Sequence, residues 1–420
     1  MSTKLCLSAV LSAFAGLALA AQAPNSVALS LKETTGIRRY GYPVGVRVPF
    51  PQGSLASSAD TRLVLNGTEV SAQYTDEGKW PDGSVQWLAV NFNATIGPNE
   101  SQTYQLEYGF DVKPGPPPRG LTVTEDGDAI QVGNVRFSKS GAPLVLSVKY
   151  RNEDLAKMGS SFAITDAAGK LFDLKSAEPP KLEILKRGPL YVVLRYTGRL
   201  ALDTSYSAPF VVTVEMPNSK SWIKVTAKVD DPGKRLREIS YRTALSLGPL
   251  PWVWDFGTDR WTYGSIRDQS DSVVLTETMK APGTVDWQVS SGPKGKEQDY
   301  EVGGIGRRSQ MVRWGHIQGG KETIAFAVDG NPGLPGRYQF SLDGEGGTSI
   351  RFSASTPGTQ HELTVYEHFV SPPVQIGAVT SPTSMLSPLV ATCEAKQFLL
   401  SRIQAPRQSG SRPRLRTPTR

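Results

Sequence analysis

The chain has 420 residues, of which 39% are hydrophobic and 20% are charged, and its formal net charge is +7. Its 41 glycines and 31 prolines favour many turns and short strands over long helices. Six arginines lie at 402–420, a segment without acidic or aromatic residues. We therefore assign the basic charge to a tail and predict no nucleic-acid binding.

The first 20 residues are typical of a secretory signal peptide. Lys4 precedes an apolar run at 5–19, and Ala18-Leu19-Ala20 resembles a cleavage site. We therefore expect a secreted protein, periplasmic if the source is a Gram-negative bacterium. The alternative is a membrane anchor, for which the run is short. No later segment is long and apolar enough to predict a membrane span.

Cysteine usage predicts a fold without disulfides. Because Cys6 lies in the predicted signal, Cys393 is the one cysteine left in the mature chain. No Cys/His spacing is typical of a zinc site, and the glycine cluster at 303–306 lacks the strand–loop–helix context of a dinucleotide site. We therefore predict no metal and no cofactor.

The order of strand and turn signals predicts an all-β protein with few helices. Residues 21–113 predict a small N-terminal β-barrel, and the Pro/Gly-rich stretch 114–120 predicts a linker. The longer strand series at 121–390 predicts a large antiparallel β-sandwich. Residues 391–420 predict a short helix, with 394–403 as its candidate, and then a disordered basic tail.

Two local patterns are specific enough to test. Asn66-Gly67 stands between two short apolar runs, which is a strong signal for a β-hairpin. The segment 222–229 alternates apolar residues with lysines and threonine, which predicts a half-buried antiparallel strand.

Three Asn-X-Ser/Thr sequons are candidate glycosylation sites in a eukaryotic secretory pathway and carry no meaning in a bacterium. Their acceptor residues are Asn66, Asn93 and Asn99.

An aromatic cluster at 251–263 is the first candidate binding site. Exposed rings stack on the C–H faces of sugars, and interleaved carboxylates would bind sugar hydroxyls. The alternative, which the pattern favours, is a hairpin whose indole rings fill the core. The candidate carbohydrate-binding residues are Trp252, Trp254, Trp261 and Tyr263.

Two further segments supply candidate catalytic residues. In the strand-like segment 360–368, alternation places Tyr366 and His368 on one face, where a hydroxyl and an imidazole would serve as proton donor and acceptor. At 311–316, Arg313 would neutralise a substrate carboxylate, and His316 follows it. The alternatives are a polar strand face, an outward arginine and structural histidines.

Several of these segments resemble a known family. Residues 41–53 and 80–87, with Pro81-Asp82-Gly83-Ser84 as a turn, resemble the N-terminal RIFT-barrel domain of exo-acting rhamnogalacturonan lyases and YetA-like proteins. Residues 188–193, 222–225 and 361–366 are similar to the central β-sandwich of that family.

The resemblance implies a function, but we expect one domain of that family to be missing from this chain. It implies a carbohydrate-active protein acting on an acidic, plant-type polysaccharide (rhamnogalacturonan, a pectin) by β-elimination. Members of the family continue into an α/α-toroid, which we expect to be missing here because the sequence ends at residue 420. The alternative is a non-catalytic carbohydrate-binding or structural β-sandwich protein.

Overall fold

The computed structural model of the protein is built almost entirely from β-strands. It describes residues 24–116, 119–150, 153–154, 159–174, 178–257, 262–281, 284–299, 306–308, 314–320, 323–329, 335–370 and 390–393. The predicted signal peptide and the candidate helix at 394–403 lie outside these residues. Within them the helical structure is a single 3-10 turn, Ser58–Asp60, and no helix is long and apolar enough to cross a membrane. The all-β prediction is confirmed.

The N-terminal domain consists of two sheets around one core. The five-stranded sheet has the spatial order β31, β1, β7, β3, β4, with bounds β1 (Asn25–Lys32), β3 (Thr61–Leu65), β4 (Thr68–Val70), β7 (Ser101–Tyr108) and β31 (Val390–Cys393). The three-stranded sheet has the order β2, β6, β5, with bounds β2 (Arg39–Pro49), β5 (Ala72–Lys79) and β6 (Val85–Ile96). Asn66 and Gly67 both have positive φ and join β3 to β4, as a two-residue hairpin turn requires.

The last described strand of the chain belongs to the N-terminal domain. Strand β31 pairs antiparallel with β1, so that Cys393 lies opposite Leu29 and Val390 opposite Lys32. Ala391 and Cys393 pack against the core of that domain. The predicted boundary at 390/391 therefore needs correction, since residues 390–393 form a strand of the first domain. Local sequence did not reveal this because the strand has four residues and a partner far away in the chain.

The second domain is a sandwich of two large sheets around one continuous core. The strands of the fourteen-stranded sheet are β8 (Val123–Asp126), β9 (Ala129–Val132), β10 (Val135–Ser138), β11 (Val145–Tyr150), β12 (Glu153–Asp154), β13 (Ser160–Asp166), β14 (Leu171–Asp173), β19 (Leu236–Ala244), β22 (Asp271–Ala281), β23 (Thr284–Pro293), β24 (Gln298–Asp299), β25 (Gly306–Arg308), β28 (Gly336–Asp343) and β29 (Gly347–Ala354). The nine-stranded sheet has the spatial order β15, β16, β17, β18, β30, β27, β26, β20, β21, with bounds β15 (Lys181–Lys186), β16 (Tyr191–Ala201), β17 (Ser207–Pro217), β18 (Trp222–Asp230), β20 (Trp252–Phe256), β21 (Thr262–Ile266), β26 (Trp314–Gln318), β27 (Thr323–Asp329) and β30 (Gln360–Val370).

Alternation in each strand defines an inner and an outer face of each sheet. In β18 the residues Ile223, Val225, Ala227 and Val229 belong to the core, while Lys224 and Lys228 face outward. This confirms the half-buried strand predicted at 222–229. Two glutamates enter the core, Glu277 of β22 and Glu367 of β30. Glu367 accepts hydrogen bonds from the hydroxyls of Tyr241 and Thr243 across the sandwich.

Polar contacts join the two domains beside the nine-stranded sheet. Gln73 of β5 accepts from the backbone N–H of Leu190 and of Tyr191 and donates to the Tyr191 carbonyl. A Cβ on Gly188 would lie 2.3 Å from the amide carbon of Gln73, so the two segments are in direct contact. Lys220, in the turn between β17 and β18, donates to the carbonyl of Tyr40 at 2.7 Å.

Candidate functional site

The outer face of the nine-stranded sheet carries a row of chemically active side chains. The antiparallel register places Asp255 opposite His316, His316 opposite Ala325, Ala325 opposite His368, and His368 opposite Trp222. Opposed residues share one face of a sheet, and residues that flank this row in sequence belong to the core. Together with Tyr366 this row forms what we call the histidine face: Trp222, Asp255, His316, Tyr366 and His368.

His316 is held by a carboxylate. Its Nδ1 lies 2.8 Å from Asp255 Oδ1, and both side chains are buried. Because a carboxylate oxygen accepts, Nδ1 carries a proton in this pair. Among the described residues the buried Nε2 has no hydrogen-bond partner. A fixed imidazole with an unpaired buried ring nitrogen is an arrangement that a bound polar group would satisfy.

His368 is the half-buried histidine of the row. Its Nε2 is hydrogen-bonded to the hydroxyl of Ser221, and no described residue is a hydrogen-bond partner of its buried Nδ1. Burial, with added repulsion from Lys220 and His316, lowers the pKa of His368 from 6.5 to about 4. The ring is therefore neutral at physiological pH. The small side chain of Ala325 separates it from His316 on the sheet.

Aromatic side chains continue the face toward the N-terminal domain. The rings of Trp222 and Tyr366 meet edge to face, with centroids 5.1 Å apart. Lys224 lies 6.0 Å from the centre of the Tyr366 ring and forms a 3.0 Å ion pair with Glu215. Glu215 also accepts a short hydrogen bond from Tyr191, and burial followed by this carboxylate raises the pKa of the Tyr191 phenol well above its usual value.

A cavity of about 350 Å³ lies at the turn between β17 and β18, and Trp222 is the member of the histidine face that lines it. Ser221, the partner of His368, lines it together with Ser219 and Lys220. Its size is within the range of small-molecule sites. A ligand in this cavity would therefore contact a serine hydroxyl and a lysine, and Ser221 would connect it to His368.

The structure brings three of the four predicted catalytic candidates onto one face. His316 lies on β26, and Tyr366 and His368 lie on β30, with only β27 between the two strands, although His316 and His368 are 52 positions apart in sequence. Arg313 lies outside the described residues. The sequence pattern missed the role of Asp255 as partner of His316 and of Ser221 as partner of His368. The sequence did contain a signal for Asp255. Because alternate residues of a strand face opposite sides, a carboxylate between the core residues Trp254 and Phe256 has to lie on the outer face.

The aromatic platform predicted at 251–263 requires a correction. Trp252 and Trp254 point inward and are 5% and 1% exposed, so they fill the core and cannot stack on a sugar from solvent. Strand alternation is the reason, because Trp252, Trp254 and Phe256 share the inner face of β20. Tyr263 is 55% exposed on the outer face, and Trp261 lies outside the described residues.

The three sequon asparagines have different environments. Asn66 and Asn99 are exposed at positions with positive φ. Asn93 donates from Nδ2 to Asn218 and accepts from the Ser219 hydroxyl, both at 2.9 Å. The Asn93 amide is therefore used at the contact between the domains. Among the described residues no group of three or more His, Cys, Asp or Glu could hold a metal ion.

Comparison with known proteins supports the N-terminal assignment. Residues 31–109 match the model of the PcRGLX-like N-terminal RIFT barrel domain family. That match covers less than a fifth of the chain. No curated protein matches the sequence.

Comparison with solved structures supports the fold over most of the chain. A protein in glycosyl hydrolase family 38 from Enterococcus faecalis is similar over 88% of this chain, with a TM-score of 0.54 and 10% identity. This chain spans 48% of that protein's length. A galactose mutarotase-like protein from Lactobacillus casei is matched over 60% of this chain and 100% of its own, but its TM-score of 0.34 at 10% identity is too low to argue from.

Proposed function

We propose that this chain is a secreted, carbohydrate-active protein that binds an acidic, pectin-like polysaccharide at the histidine face and cleaves it by β-elimination. The observation that carries the proposal is the pair of histidines on one sheet face, His316 and His368, each with a buried ring nitrogen that has no partner. The matched RIFT-barrel model and the resemblance to rhamnogalacturonan lyases supply the substrate class.

Elimination needs a base, an acid and a cation. The histidine face offers the base and the acid, and the neighbouring Lys220 offers the cation. In the proposed step Nδ1 of His368 removes the proton from C5 of the uronate, and the electron pair forms a C4–C5 double bond. The C4–O bond breaks, and the departing oxygen takes a proton from the Tyr366 hydroxyl. Lys220, close enough to lower the pKa of His368, pairs with the uronate carboxylate.

The low pKa of His368 is consistent with this role. An anionic substrate beside the ring favours the imidazolium and raises its pKa on binding. His368 is thus neutral before the substrate binds. The negative charge of the bound substrate then makes its imidazole a stronger base. His316, fixed by Asp255, offers a second unpaired ring nitrogen to the same ligand.

The test is the ultraviolet absorbance of unsaturated uronate during incubation with rhamnogalacturonan oligomers. We expect activity in the wild type, a loss of about a hundredfold in His368→Gln, and no change in Lys228→Gln, which alters an exposed residue at the other end of β18. Thermal unfolding of each variant checks that it is folded. No absorbance change at high wild-type concentration contradicts elimination.

A second candidate function is binding without cleavage. It is favoured by the nearly complete burial of His316 and Asp255, which suits a fixed recognition surface. Tryptophan fluorescence titration with the same oligomers separates the two functions. Saturable quenching that is lost in Trp222→Phe, in the absence of any unsaturated product, identifies a binding protein.

A further inference from the structure

The outer face of the fourteen-stranded sheet, opposite the histidine face, carries arginines on three adjacent strands. Arg242 lies on β19, Arg351 on β29 and Arg337 on β28. In the register Arg242 is opposite Ser349, and Arg351 is opposite Ser240 on one side and Gln339 on the other. The residues that flank them in sequence belong to the core, so all three guanidinium groups point outward.

None of these arginines forms an ion pair with a described residue. Among the described residues no carboxylate lies within 4.0 Å of the guanidinium nitrogens of Arg242, Arg337 or Arg351, whereas fifteen other lysines and arginines do form ion pairs. Within the part of the chain that the structure describes, Nε of Arg242 is buried and has no hydrogen-bond partner. Burial and then the charge of Arg351 lower the pKa of Arg242, and the charges of Asp173 and Glu238 oppose that shift without reversing it. Like charges held close together are costly, and a bound anion removes the cost.

The arginines line two adjoining cavities. One has a volume of about 690 Å³ and the other about 430 Å³, and Arg242 and Arg351 line both. The two volumes therefore form one elongated depression that is centred on these two side chains. We call it the arginine groove and define it by Arg242, Arg337 and Arg351.

The charge of the larger cavity is strongly positive. Arg237 and Lys234 join the three arginines in its lining, against the two carboxylates of Asp166 and Glu238. Both carboxylates are engaged: Asp166 accepts from backbone N–H groups of its own turn, and Glu238 accepts from a serine hydroxyl. They are therefore poor competitors for an incoming anion.

The remaining lining suits sugar hydroxyls. It consists largely of hydroxyl and amide side chains, among them Thr165, Thr278, Gln339, Ser341, Ser349 and Ser353. Among the described residues that line the two cavities there is no Phe, Trp or Tyr. Single-stranded nucleic acids are bound largely by stacking on such rings, so the lining is poorly suited to a nucleic acid.

We propose that the arginine groove is a second carbohydrate site, remote from the histidine face, that binds a carboxylated oligosaccharide with Arg242 and Arg351 on one uronate carboxylate. The planar guanidinium matches a carboxylate through two parallel N–H donors. The assignment of a sugar rests on the proposed function. The requirement for an anion rests on the groove alone.

The experiment is isothermal titration of the full-length protein with a galacturonate hexamer and with its methyl-esterified, uncharged form. We expect the charged hexamer to bind, and the Arg242→Gln/Arg351→Gln double variant to bind about tenfold more weakly or worse. Arg267→Gln, an exposed arginine away from the groove, is the matched control and retains wild-type affinity. Arg337→Gln, whose side chain is exposed, repeats the test if the double variant does not fold.

Three results overturn the proposal: equal affinity of the esterified hexamer, unchanged affinity in the folded arginine variants, or tighter binding of a sulfated oligosaccharide or an oligonucleotide than of the galacturonate. His368→Gln separates this site from the histidine face. Retained hexamer binding in that variant, with loss in the arginine variants, supports the groove even if no unsaturated product ever forms.

Discussion

Two aromatic side chains of one hairpin have opposite environments. Trp254 is inside the sandwich and Tyr263, on the paired strand β21, is on the surface. We expect Trp254→Ala to lower the free energy of unfolding by about 3–5 kcal/mol, because it leaves a large cavity. Tyr263→Ala should change it by about 0.5 kcal/mol or less. Urea denaturation of both variants measures these free energies. Equal losses in the two variants would contradict the burial of Trp254 and the exposure of Tyr263.

The titration of His368 gives a stability prediction with a definite sign. The unfolded chain takes up this proton near pH 6.5, and the folded protein does so near pH 4. Between these values the unfolded state binds more protons, so stability falls as pH falls. We expect the melting temperature of the wild type to drop more than that of His368→Gln between pH 7.5 and 4.5. A gap between the two proteins that does not vary with pH contradicts the assignment.

The candidate site could be read from the sequence in part. Period-2 alternation correctly placed Tyr366 and His368 on one face, because that pattern is local. It could not show that Asp255 pairs with His316, since that contact depends on which strands become neighbours. The aromatic cluster was misjudged for a different reason: the prediction of a sugar platform rested on composition, whereas alternation within β20 turns two of its indoles inward.

At the scale of elements, β31 closes an edge of the N-terminal domain. We expect a chain ending at residue 389 to lose about 1 kcal/mol of that domain's stability, or about 4–8 °C in its unfolding midpoint. The reason is that β1 would lose one of its two partner strands and the core would lose Ala391 and Cys393. A chain ending at 393 is the control. Differential scanning calorimetry measures both, and identical midpoints would show that β31 does not stabilise the domain.

Strand content was predictable and strand order was not. The hairpin at Asn66-Gly67 and the strand at 222–229 follow from turn chemistry and alternation, both of which act over a few residues. The nine-stranded sheet, in contrast, places β30 between β18 and β27. Which strands become neighbours depends on how the whole sheet is buried, and a short segment of sequence carries no information about that.

For the whole molecule, Gln73 is the side chain whose loss should uncouple the two domains. Its replacement by Ala leaves the N–H groups of Leu190 and Tyr191 without their partner, at a cost of about 1–3 kcal/mol. We expect the barrel and the sandwich to unfold in two separated calorimetric transitions in Gln73→Ala. Gln131→Ala, which removes one bond within a single hairpin, is the control. One unchanged transition in Gln73→Ala would show that this contact does not link the domains.

The return of the chain to β1 also bears on synthesis at the ribosome. Strand β7 is complete at residue 108, but β31 begins at residue 390. At roughly 5–20 residues per second, the nascent barrel waits roughly 15 to 55 s for its last strand. During that interval one edge of β1 has no partner, and unpaired edges invite pairing with other chains. The barrel is the first domain to be translated and the last to be finished, so a chaperone that shields this edge would act before the sandwich is complete.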